Sequence, residues 1–114
     1  MAKNKMILTL GDQEVTLKFN MGTLRRMKDL AGNDPFRPVN TEDMLGMILF
    51  SQEVINAGVM TELGTEKPFF TQEQLDDYLT ISLMTEIVIA FTQAYSPDVP
   101  EVKDDTQPSP VNVQ

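Results

Sequence analysis

The side chains that most often carry chemistry are missing from this sequence. It has no histidine and no cysteine. The commonest general base, the commonest zinc ligand, every thiolate nucleophile and every disulfide are therefore excluded. Carboxylates, lysine, serine, threonine and tyrosine remain. Asp76 and Asp77 are adjacent, and on a helix successive side chains point about 100° apart, so the two cannot easily share a metal or a substrate. They read as part of a solvated helix face. Asp104 and Asp105 lie in a Pro-rich stretch with nothing to hold their geometry and no EF-hand spacing around them. Gly22 and Gly32 fit no phosphate-binding or dinucleotide-binding pattern. The expectation is a protein that is not an enzyme, with no catalytic residue, no cofactor and no metal.

Arg25, Arg26 and Lys28 make the only basic cluster, and Asp29 dilutes it. Nucleic-acid affinity depends on Lys and Arg neutralising phosphates, and a formal net charge of −8 opposes that. No nucleic-acid partner is expected. The cluster reads either as a solvated face or as a docking contact for an acidic partner.

The elements that must position whatever the chain does use can be read from its periodicities. At 114 residues with 41% apolar side chains, the chain fits one domain with one core. No run of 18 apolar residues occurs, so no transmembrane helix and no membrane partner are expected. The apolar stretch at 6–10 is too short for the core of a signal peptide, and the chain reads as intracellular where it is made. Met6, Leu8 and Leu10, then Val15, Leu17 and Phe19, alternate with other residues around a turn at 11–14, which predicts an antiparallel hairpin with one apolar face. Such a hairpin is marginal alone, so something must cover that face.

Asn20 has the character of an N-cap for a first helix carrying Met21, Leu24, Met27 and Ala31 inward, with Gly32 at its left-handed end. Pro35 and Pro38 then mark a loop. A second helix is expected to open at Asn40 or Thr41, with Glu42 and Asp43 in its first turn, and to stop at Gly58 after Ala57. Met44, Met47, Ile48, Val54 and Ile55 share its broad apolar face. Residues 59–70 read as a loop. Thr71 and Gln74 form a capping box for a short helix with Leu75, Tyr78 and Leu79 inward. Thr80 or Ser82 starts a last helix ending near Tyr95, with Met84, Ile87, Val88, Phe91 and Tyr95 as its stripe. The fold class is α+β: an N-terminal β-hairpin followed by about four α-helices over residues 1–96. Residues 97–114, acidic and holding four of the seven prolines, are expected to form a disordered tail.

Apolar helix surface is in surplus. Leu45 and Leu49 form an i,i+4 pair beside Gln52, Glu53 and Asn56, off the main inward face of their helix, and Ile89 falls on the polar side of the last helix. Eight methionines add adaptable side chains, ordinary as core filler and also frequent at binding surfaces. Leu45, Met47, Leu49 and Ile89 are the candidate partner-binding residues.

Residues 19–36, FNMGTLRRMKDLAGNDPF, resemble the tail assembly chaperones of long-tailed bacteriophages. Family members open with a short hairpin, continue with a phrase like F-N-M-G-x-L-R-R, and end the next helix near G-x-D-P. A second apolar helix, a variable loop, a phrase like F-T-x-E-x-L at 70–75 and a closing helix rich in Ile, Val and Phe complete the pattern, which covers about residues 5–95. The resemblance implies a non-catalytic chaperone that coats the phage tape-measure protein, keeps it soluble and helps recruit tail-tube subunits. It also implies action in the host cytoplasm, absence from the mature virion, and a longer frameshifted form extending beyond Ser96. Self-association as a homo-oligomer is compatible with it. Two other readings compete: a structural tail component, tube or completion protein, which the dominance of helix argues against, and a small DNA-binding regulator, which the net charge argues against.

Overall fold

A computed structural model describes residues 4–40 and 42–96. Strands β1 (Lys5–Leu10) and β2 (Gln13–Lys18) are followed by helices α1 (Met21–Ala31), α2 (Met44–Leu63), α3 (Gln72–Tyr78) and α4 (Ile81–Tyr95). The α+β order is the one expected from the periodicities. The segment 97–114, expected as a tail, and Thr41, one of the two expected helix starts, lie outside the described residues.

Alternation produces the hairpin. Met6 pairs with Leu17, Leu8 with Val15 and Leu10 with Gln13. The turn is therefore only Gly11 and Asp12, and Gln13 and Glu14 belong to β2 instead of the turn. Gly11 has φ +66°, and a Cβ there would lie 2.8 Å from the Tyr78 ring. The register buries Met6, Leu8, Leu10, Val15 and Leu17 on one face. The cover this face requires is α2, which packs against β2 and also against α1 and α4.

The central role of α2 explains where it departs from expectation. It begins later, capped by Asp43 (whose carboxylate accepts from the Gly46 N–H at 3.1 Å), while Asn40 closes the turn before it. It also runs past Gly58 to Leu63, and the left-handed end is Gly64, φ +70°. Gly58 is helical and buried. A Cβ there would lie 2.7 Å from the Leu17 Cβ and 3.2 Å from its Cα. The glycine is kept for close approach of helix and strand, not for helix termination. By length and apolar composition α2 could cross a membrane, but ten of its residues are buried within this fold, the usual state of a core helix. Met44, expected inward, is exposed.

In α1 the buried residues are Thr23 and Met27, whereas Met21 and Ala31, expected inward, are exposed. Asn20 and Thr23 form a reciprocal capping box, each side chain meeting the other's backbone N–H. The buried Thr23 hydroxyl also donates to the Lys18 carbonyl at 2.6 Å and lies 2.9 Å from the Thr61 hydroxyl. The end of β2, the start of α1 and the last turns of α2 are thus tied at one point. Arg26 extends the tie by donating to Thr61 at 3.2 Å and pairing with Glu66 at 2.6 Å.

Two loops are latched onto α2. Arg37 makes a bidentate pair with Glu53, at 3.1 and 2.8 Å, and lies over the Phe50 ring. Asn56 donates to the Phe70 carbonyl at 3.1 Å and accepts the Phe70 N–H at 2.9 Å. The Thr71 and Gln74 capping box then opens α3, and Thr80, not Ser82, caps α4.

One polar group in this core is at odds with its surroundings. The Ser51 hydroxyl is fully buried on α2 with no hydrogen-bond partner among the described residues. Removing an unpaired buried hydroxyl relieves a desolvation cost, and alanine is the better helix former. Ser51→Ala is expected to raise stability by about 1 kcal/mol, read as a higher urea midpoint at unchanged slope.

Candidate interaction surface

The residues with chemical potential are dispersed or engaged. Asp76 accepts a 2.7 Å hydrogen bond from the Gln52 amide, which joins α3 to α2, and Asp77 is exposed beside it. No three acidic side chains converge into a metal site among the described residues. The basic cluster of α1 is split by its bonding: Arg26 holds Thr61 and Glu66, and Lys28 donates to the Gly32 carbonyl at the helix end. An acidic partner would find only Arg25 of the three without a hydrogen bond or ion pair among the described residues.

The four candidate contact residues do not share one surface. Leu45 is 66% exposed and Leu49 41%, one turn apart on the outer edge of α2. Ile89 is 51% exposed on α4. Met47 is only 6% exposed and belongs to the core, a correction to the expected set. Its place on the broad inward face of α2 had pointed that way, and burial leaves it no surface to offer.

Two hollows flank the edge on which Leu45 and Leu49 stand. The first, about 550 Å³, is walled by Leu30 of α1, Leu49, Phe69 and Leu75, with Gln52 and Asn56 beside them. The second, about 350 Å³, is lined by Met44, Ile48, Asp76, Leu79, Ile81 and Met84. Gln52 lines the first and Asp76 the second, so the Gln52–Asp76 hydrogen bond forms the divide between them. Together with exposed Leu45, the hollows make an apolar seam along α2 and α3. Neither Leu45 nor Ile89 lines a hollow itself, but Leu45 stands on α2 between Met44 of the second and Leu49 of the first.

Leu30, Phe69 and Ile81 were missed by sequence reasoning. Phe69 lies in a loop, where no periodicity exists to place it. Leu30 is off the inward stripe of α1, and that discrepancy was the available signal.

A third hollow, about 440 Å³, is walled by Phe36, Phe50, Phe91 and Tyr95. Phe50 meets Phe91 edge-on at 5.1 Å, and Phe36 meets Tyr95 edge-on at 5.8 Å. Tyr95 is oriented by donating its hydroxyl to the Asn20 carbonyl at 2.7 Å. Burial pushes its phenol up to about 12, with hydrogen bonding to Thr23 acting in the opposite direction. The phenol is therefore a fixed neutral donor at physiological pH, suited to structure rather than proton transfer.

Several residues of the phrase at 19–36 have structural roles. Phe19 is in the core, Asn20 and Thr23 cap α1, Arg26 ties α1 to α2, and Gly32 ends the helix. It builds the joint between hairpin and helices, and Leu30 within it also walls the first hollow. Comparison with protein-family models, curated proteins and solved structures finds no match to this chain.

Proposed function

We propose that this chain is a non-catalytic holding protein of the phage tail assembly chaperone type, which binds the tape-measure protein, keeps it soluble in the host cytoplasm and helps recruit tail-tube subunits. The resemblance at 19–36 supplies the identity of the client. The observation that carries the holding role is the seam itself: exposed Leu45 one turn from Leu49, which walls an apolar hollow, with a second apolar hollow on the same helix, in a chain without histidine or cysteine. An amphipathic helix recognises such a surface by placing its own apolar side chains at one-turn spacing into a groove. Exposed contiguous apolar surface of this kind marks interaction sites in soluble proteins.

Co-expression with the tape-measure protein of the same genome tests the reading. The client should be insoluble alone and soluble with this chain. An equally insoluble client in both cases ends the proposal. Substituting both Leu45→Lys and Leu49→Lys puts charge where apolar client side chains would sit, at positions exposed enough to leave folding intact. Client affinity is expected to fall roughly tenfold or more, as for loss of a central apolar anchor. Mass spectrometry of purified particles should lack this chain; its presence there in stoichiometric amount would favour a structural tail component.

A further inference from the structure

Charge is distributed unevenly over this fold. Helices α2, α3 and α4 contain Glu53, Glu62, Glu73, Asp76, Asp77 and Glu86, and no lysine or arginine. Every described basic residue lies on the hairpin, on α1 or in a connecting loop. Two of the six carboxylates are neutralised across the fold, Glu53 by Arg37 at 2.8 Å and Glu62 by Lys5 at 3.5 Å. Glu73, Asp76, Asp77 and Glu86 form no ion pair among the described residues. Three of these four are on α3, the helix that separates the two apolar hollows. The neutral Gln52 amide that binds Asp76 leaves its charge uncompensated.

We propose that the segment seated on the α2–α3 seam is a basic amphipathic helix. Its apolar side lies on Leu45, Leu49 and Phe69, and its Lys or Arg side chains reach Glu73, Asp76 and Asp77. This rests on the reading of the chain as a holder of a helical client and adds the client's charge. Each exposed ion pair contributes little by itself. The carboxylates of α3 nevertheless steer and select, because approach of an acidic helix is opposed at each of them. The apolar seat supplies affinity and the carboxylates supply choice.

The test uses the full chain and three dye-labelled synthetic helices of equal length, read by fluorescence anisotropy. One has a leucine face and a Lys/Gln polar side. The second has the same leucine face with Glu/Gln. The third keeps the lysines but scrambles the leucines so that no apolar face exists. Only the first should bind, and its affinity should drop about tenfold or more between roughly 50 and roughly 500 mM salt as the charges are screened. The neutral variant Glu73→Gln, Asp76→Asn, Asp77→Asn keeps an acceptor for Gln52 and should bind the first helix at least about fivefold more weakly, the loss of a few screened pairs. Equal binding of the Glu helix, equal binding of the scrambled helix, or unchanged affinity of the neutral variant each overturns the proposal. Co-expression separates the two readings. A tape-measure client held equally by the wild-type chain and by the neutral variant leaves the chaperone role standing and this inference gone. Lys-helix selectivity without any client held soluble does the reverse.

Discussion

Alanine at Gly58 is expected to destabilise the fold by about 2–3 kcal/mol, as for an overpacked core position. The sign is the informative part. In an exposed helix interior, glycine to alanine gains about 1 kcal/mol because alanine restricts the unfolded chain and favours the helix. Gly58 is in the interior of α2 with no positive φ, so propensity alone predicts stabilisation. Packing predicts the opposite, since the new methyl would lie 2.7 and 2.8 Å from the Leu17 Cβ and Cγ and 3.2 Å from the Leu17 Cα. The Leu17 side chain could turn aside, but its backbone can move only by shifting β2 off the helix. Urea unfolding of Gly58→Ala reads the balance directly. A double variant, Gly58→Ala with Leu17→Ala, should show strong non-additivity, because the methyl then occupies part of the space vacated by leucine. A stabilised Gly58→Ala, or simple additivity, would contradict the close-contact account.

Asn56→Ala is expected to cost about 2–4 kcal/mol, the sum of two lost hydrogen bonds and two backbone groups left short of partners. The Asn56 amide satisfies both the N–H and the C=O of Phe70, whose side chain is buried at the end of the 64–70 loop. Alanine can replace neither bond. Asn56→Asp keeps the acceptor for the Phe70 N–H but sets a carboxylate oxygen against the Phe70 carbonyl, so its stability should fall below that of the native chain as well. Hydrogen exchange at the Phe70 amide gives a local reading, with protection lost in Asn56→Ala well before global unfolding. Phe69 lies next to the latch and walls the larger hollow. Helix binding at the seam should therefore weaken together with loop protection, although Asn56→Ala leaves Leu45 and Leu49 in place.

These two positions show where local reading stops. Asn56 appeared in the sequence as a polar neighbour of Leu49, and Gly58 as a helix stop. Both assignments follow from intrinsic preference, and each was displaced by a contact with a residue far along the chain, Phe70 for one and Leu17 for the other. Arg37, in a Pro-bounded loop, has the same character: its partner Glu53 is on a different element. The seam was only half visible. Leu45 and Leu49 stood out because they add a second apolar stripe, more surface than one packing contact needs, whereas Phe69 and Leu30 join Leu49 only through the way α1 and the 64–70 loop close over α2.

By itself the sequence determined most features whose cause lies within a few residues, although the Asp43 cap of α2 was read as first-turn helix. Period-2 alternation around Gly11 and Asp12 made the hairpin, the Asn20, Thr71 and Thr80 side chains started helices, and Gly32 ended one. Hydrogen bonds over three or four residues and side-chain periodicity need no tertiary information. The absence of histidine and cysteine was likewise present in the chain as written. Only the tertiary structure decided which apolar surplus stays exposed. Burial depends on what packs opposite: Met47, already on the inward face, is in the core, while Leu45, two residues and about 200° around the helix from it, remains outside. The same packing set α3 beside α2, and so brought the Asp76 carboxylate, held by Gln52, to the margin of an apolar hollow.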